Sequence, residues 1–189
     1  MFGSHTRKHR DELNKVLREL PDCPPSLFSS LAIATGGLTE VGFSRQKPGL
    51  LLVISSSGRS VIKCSTGEKL ARDYEEYGDW YDPCNLTCLG IGPLSDELIS
   101  ISGLCGGRLP HYGSAGDSLE RIASDWPIET LVWCPPGKSA LIAGHRQGCL
   151  KITLDYLLCA GYSWDGKFII SATSSDITIW QRNLGSGEK

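Results

Sequence analysis

The chain has 189 residues, 40% of them hydrophobic, and carries 19 Lys and Arg against 21 Asp and Glu for a formal net charge of −2. The length suits a single domain, the apolar content excludes global disorder, and the near-neutral balance excludes a general electrostatic drive onto nucleic acid or an anionic membrane. With 22 glycines and 10 prolines, many short elements are favoured over long helices.

The first ten residues are charged and run into a charged amphipathic stretch, not into the apolar core of a secretion signal. No apolar run approaches the length of a membrane span, and the longest, Leu50 to Ile54, is strand-sized. Eight cysteines (23, 64, 84, 88, 105, 134, 149 and 159) lie in or beside apolar runs without forming a compact framework. Reduced, mostly buried thiols in a cytoplasmic protein are therefore expected, with no membrane partner.

Residues 5 to 20 are the one clear helix, because Leu13, Val16, Leu17 and Leu20 recur at i, i+3, i+4 and i+7 and make one apolar face. Arg7, Lys8, Arg10, Lys15 and Arg18 lie mostly off that stripe. Pro21, followed by Pro24 and Pro25, stops the helix. Leu27 to Ala34 reads as a short helix or a strand, broken by Gly36-Gly37. Leu50 to Ile54, a Ser-Ser-Ser-Gly turn, and Ser60 to Cys64 read as a hairpin, and Thr66-Gly67-Glu68 as the next turn. A second hairpin runs from Leu86 to Ile91, turns at Ser95-Asp96-Glu97, and returns from Leu98 to Ile101. Residues 105 to 118 are Gly-rich and irregular.

The last third contains an internal echo. Trp133 to Ala143, followed by Cys149 to Ile152, shares one order with Tyr162 to Ala172, followed by Asp176 to Trp180. That order is strand, Gly-Lys turn, apolar strand, polar turn, alternating strand. Val41 to Cys64 is a looser copy and Leu86 to Leu104 a still looser one. Repeated antiparallel units of this kind point to stacked or radially arranged sheets. The expected fold is mainly β: an N-terminal helix (residues 1–22), a body of repeated antiparallel units (38–182) shaped as a small or incomplete β-propeller, and a flexible tail (183–189), all in one domain.

Residues 161–182, GYSWDGKFIISATSSDITIWQR, resemble one blade of a WD40-type β-propeller in the aromatic-Ser-x-Asp-Gly-Lys turn, the strand after it and the alternating strand ending in Ile-Trp. The family's Trp-Asp dipeptide would fall at Trp180-Gln181, where the Asp is absent, and the chain is too short for a seven-bladed ring. In size, class and the stretch LLLVISSSGRSVIKCSTGEKLARDYEEYGDWYD (50–82), the chain is also similar in general type to small bacterial immunity proteins. These are cytosolic antidotes encoded beside contact-dependent or polymorphic toxins, so this resemblance implies a toxin domain as partner.

Residues 68 to 82 stand out chemically. Glu68, Asp73, Glu75, Glu76, Asp79 and Asp82 face only Lys69 and Arg72, a local charge of −4, with Tyr74, Tyr77, Trp80 and Tyr81 interleaved. Carboxylates complement Lys and Arg, and aromatic rings bury area at low entropic cost, so the composition suits docking on a basic protein surface such as a nuclease cleft. These ten residues are the expected partner-binding site, against the alternative of a solvated loop whose aromatics pack back on the body.

Other motifs carry weaker chemistry. Gly137-Lys138-Ser139 has the ending of a phosphate-binding loop, but Val132 stands where that motif needs Gly, and Pro135 and Pro136 lack N–H groups. Cys84-x3-Cys88 and His145-x3-Cys149 have metal-ligand residue types, but four positions along a strand span roughly 13 Å, too far for one tetrahedral ion without a turn at each pair. Cys105 and His111, with Asp117 and Ser118, are conceivable as a nucleophile pair, yet nothing places them together. The basic helix face is diluted by Asp11, Glu12 and Glu19 and lacks stacking aromatics, so no nucleic-acid partner is expected. The reading is a non-enzymatic protein-binding protein without cofactor or metal: an immunity protein occluding a basic toxin domain, with a WD40-like adaptor or a small Cys/His hydrolase as alternatives.

Overall fold

The structure, a computed structural model, describes residues 3–183, with side chains placed from residue 7 onward. The stretch expected as a tail lies outside the described residues from position 184. The described residues are mainly β, with one N-terminal helix and several antiparallel sheets, none closed into a barrel. They divide into two compact units, one of residues 3–24 with His111–Leu157, the other of Pro25–Pro110 with 158–183.

In the first unit the helix α1 spans Gly3–Glu19. Leu17 and Leu20 of its apolar stripe are buried, and Leu13 packs beside them, against Ile122, Val132, Cys134, Ala140 and Cys149. The basic side chains of α1 from Arg7 to Arg18 are exposed, as the stripe requires. Beyond Pro21 the chain becomes extended, and Cys23 N–H donates to the Lys151 carbonyl at 2.7 Å.

The strands, in chain order, are β1 (Phe28–Ala34), β2 (Leu38–Phe43), β3 (Leu50–Ser55), β4 (Gly58–Lys63), β5 (Glu68–Asp73), β6 (Tyr81–Asp82), β7 (Thr87–Leu89), β8 (Leu98–Ser100), β9 (Ser102–Gly103), β10 (Ser118–Asp125), β11 (Ile128–Cys134), β12 (Leu150–Asp155), β13 (Cys159–Tyr162), β14 (Phe168–Ala172) and β15 (Asp176–Arg182). Of residues 27–34, open to two readings in the sequence, Leu27 ends a turn and 28–34 are a strand. The first unit holds the sheet β10-β11-β12. The second holds β5-β4-β3-β2-β9, the small sheet β6-β7-β8, and β1-β15-β14-β13.

β3 is continuously apolar because both of its faces are buried. Leu51 and Val53 enter a core with Phe43, Phe168, Ile170 and Ile179, while Leu52 and Ile54 enter another with Trp80, Leu94, Ile99 and Ile101. Gly42 on β2 is dictated by packing, since a Cβ there would meet Ser100 O at 2.5 Å and Ile99 Cγ2 at 2.6 Å.

Two repeated units share a turn mechanism. At the end of β2, Ser44 N–H donates to Leu50 O at 3.1 Å, and Ser44 Oγ accepts from Lys47 N–H. After β13, Ser163 N–H donates to Phe168 O at 2.9 Å, and Ser163 Oγ accepts from Phe168 N–H and donates to Asp165. A short polar side chain thus replaces the ladder bonds lost where each hairpin turns. β1, which precedes the repeats, pairs along its whole length with β15 and completes the sheet of the last repeat.

The echo at 133–152 departs from expectation. Residues 139–143 form no strand, and β11 pairs directly with β12. Ser139 Oγ and Ala140 N–H donate to the Glu120 carboxylate, and Arg146 Nε donates to Ala140 O, so groups that a ladder would use are taken by side chains. Leu141 and Ile142 are left exposed.

Candidate functional site

The site is built on the five-stranded sheet. Register places Glu40 of β2, Ile54 of β3, Arg59 of β4 and Asp73 of β5 side by side in one row. Residues directly opposite share a sheet face, so this row lies in the layer of Leu52, Ile54 and Trp80. Arg59, almost buried, donates through Nε to Asp73 Oδ2 at 2.9 Å and through Nη1 to Leu89 O at 2.6 Å. Its guanidinium stands 4.3 Å over the Trp80 ring. Backbone N–H groups, Glu75 foremost, together with Arg59 hold the Asp73 carboxyl below the ordinary carboxylate range.

Tyr77, Trp80 and Tyr81 form an aromatic cluster with centroid separations of 5.6 Å (77–80), 4.8 Å (77–81) and 5.9 Å (80–81). Polar handles fix it: Trp80 Nε1 donates to Glu76 O at 3.0 Å, Tyr77 Oη lies 3.0 Å from Thr39 Oγ1, and Tyr81 Oη donates to Glu40 Oε1 at 3.0 Å. The Tyr81 hydroxyl also touches Cys105 Sγ at 3.2 Å. Burial, the Cys105 contact and the Glu40 carboxylate together push the Tyr81 hydroxyl's pKa up, so it stays a donor.

The ten residues expected to bind a partner therefore divide. Asp73, Trp80 and Tyr81 turn toward the sheet, with Trp80 8% exposed, while Asp82 is taken up by its own turn, where it accepts from the N–H groups of Cys84 and Asn85. Glu68, Tyr74, Glu75, Glu76, Tyr77 and Asp79 are exposed. Tyr74 is 77% exposed and flanked by Arg72, 4.8 Å from its ring, while Arg72 Nη2 is anchored on Ser57 O at 2.8 Å. Glu75 reaches Arg59 only at 3.9 Å. The outward stretch from Tyr74 to Asp79 presents three carboxylates and two tyrosines without a cation of its own.

Glu40 and Arg59 had no part in the sequence reading. Their signal there is thin: a Glu between Thr39 and Val41 in a strand-like run, and an Arg just after a turn glycine.

Cys105 contacts Tyr81, and Cys105 and His111 fall in different units. Asp117 is buried and accepts from Trp133 Nε1 at 2.6 Å, which ties the residue ahead of β10 to β11. Cys84 is exposed and Cys88 buried, while His145 and Cys149 belong to the other unit. Among the described residues no group of three or more His, Cys, Asp or Glu gathers as a metal site. All eight cysteines are free thiols, five of them buried, and burial pushes Cys64 up to about 12 and Cys88 up to about 11. Gly137-Lys138 is a turn, with Lys138 N–H donating to Pro135 O at 3.0 Å.

The first unit has a groove of about 500 Å³ between α1 and the sheet, but its charges cancel, Arg18 and Lys151 against Asp22 and Asp125. Among the described residues no helix is long and apolar enough to cross a membrane. Compared with protein-family models and with curated proteins, the chain matches none.

Proposed function

We propose that this is a non-enzymatic protein-binding protein that docks a basic protein surface through the outward strip of residues 74–79, with Glu68 beside it. The observation that carries the reading is the division of the segment. Its inner residues fix the backbone at both ends, and Tyr74, Glu75, Glu76, Tyr77 and Asp79 are exposed between them. Anchored ends lower the entropic cost of association, and the carboxylates, of which only Glu75 nears a cation (Arg59, 3.9 Å), favour encounter with Lys- and Arg-rich surfaces. In its sharper form the protein is an immunity protein acting in the cytoplasm and occluding the active site of a toxin domain, with a nuclease's cationic cleft as the natural complement. The resemblance of residues 50–82 to such proteins supports that form. The adaptor reading is favoured by one different observation, the pairing of β1 with β15, which ties the strand ahead of the repeats into the sheet of the last one.

Affinity purification from the native host, with identification of what co-purifies, tests both. A basic protein whose expression arrests growth unless this chain is co-expressed is the expected outcome. A set of partners that assemble into a larger complex without toxicity would favour the adaptor instead.

A further inference from the structure

We propose that Glu40, Tyr77 and Tyr81 form a receptor for one arginine side chain of the protein partner. The inference rests on the docking reading above and names the residue class that anchors it.

Glu40 is fully buried, and its Oε2 has no hydrogen-bond partner among the described residues. Its other oxygen accepts only from Tyr81. A buried carboxylate oxygen without a donor is costly, and such a group points to a donor supplied from outside. The same row shows what is missing. At its far end, Asp73 is paired with Arg59, and the guanidinium of Arg59 lies over Trp80: a carboxylate, an arginine and an aromatic ring in contact. At the near end, Glu40 supplies the carboxylate, and Tyr77 and Tyr81 supply the rings. Among the described residues no arginine or lysine stands over either ring. The near end is the far end without its arginine.

The way to the carboxylate leads past Tyr81: exposed Cys105 touches the Tyr81 hydroxyl, which donates to Glu40 Oε1, the oxygen beside the unpartnered Oε2. Tyr77, beside Tyr81, is 47% exposed. An entering guanidinium displaces the Tyr81 hydroxyl, presents parallel N–H donors to both Glu40 oxygens and stacks against Tyr77. Lysine lacks both the planar face and the paired donors, so the geometry selects arginine.

The test uses the full chain and the peptide acetyl-Gly-Arg-Gly-amide, with lysine and citrulline analogues. Amide resonances and the alkylation rate of Cys105 are followed, with exposed Cys84 as internal reference. The arginine peptide should shift the amides of Glu40, Tyr81 and Cys105 and slow alkylation at Cys105 but not at Cys84. Glu40→Gln should weaken binding at least about tenfold, as expected when a desolvated charged pair loses one charge. Tyr81→Phe, which keeps the ring and frees the carboxylate, should still bind, and it carries the test should Glu40→Gln fail to fold. Shifts confined to residues 74–79, equal binding by the lysine or citrulline peptide, or undiminished binding in folded Glu40→Gln would each overturn the assignment. The docking reading is separately exposed: loss of partner capture on reversing Glu75, Glu76 and Asp79 upholds it even where the peptide fails to reach Glu40.

Discussion

Residues 73 and 80–82 share their composition with residues 74–79 but meet a different environment. The first group is tied down: Asp73 to Arg59, Trp80 to Glu76 O and the β3 core, Tyr81 to Glu40, Asp82 to its own turn. The second group projects outward, with Tyr74 and Tyr77 exposed and three carboxylates beside them. Trp80 and Tyr81 turn inward where Arg59 and Glu40 of neighbouring strands meet them, whereas Tyr74 and Glu75 stay at the surface even with Arg72 and Arg59 close by. A segment of uniform composition can therefore be half scaffold and half contact face.

That division can be broken by substitution. Trp80→Ala should cost about 3–5 kcal/mol in denaturant unfolding, the range for truncating a buried Trp. Tyr74→Ala on the outward side should stay within about 0.5 kcal/mol. Equal costs at the two positions would erase the distinction. Arg59→Ala should be next, at about 3 kcal/mol, because it leaves Asp73 without its guanidinium and Leu89 O without a donor. A variant as stable as the parent would show that the row is not held by its ion pair.

Ser163→Ala probes the repeat turn and should cost about 1–2 kcal/mol, since Phe168 N–H loses its acceptor in a buried position. The smallest effect is set by pH. The Asp73 carboxyl is held below its ordinary value of 3.8, so its contribution to stability is complete above that value and is lost as pH falls through the lower folded-state value. Acid titration of stability should show this loss below pH 3.8, and Asp73→Asn should remove that part of the slope. An unchanged slope in Asp73→Asn would place the acid-sensitive group elsewhere.

Much of the fold was legible because it depended on local pattern. The α1 stripe, the β3–β4 hairpin and the Ser163-Trp164-Asp165-Gly166-Lys167 turn are decided by residues within a few positions of one another. Residues 139–143 look like a strand and are not, because Glu120, some twenty positions away, captures Ser139 and Ala140. The site was half legible for the same reason. The charge and aromatic content of 68–82 is visible in the sequence, but which members turn inward depends on Arg59 and Glu40. Glu40 meets Tyr81 across 41 positions, and only the strand register brings them together.

The most direct test of the central claim is partner capture by the Glu75→Lys, Glu76→Lys, Asp79→Lys chain beside the parent, at equal thermal stability. These side chains are exposed, so the unfolding midpoint should barely move. The outward strip as contact face predicts that the basic partner co-purifying with the parent is lost from the reversed chain. Undiminished capture by a folded reversed chain, or a captured partner with an acidic surface, would contradict it.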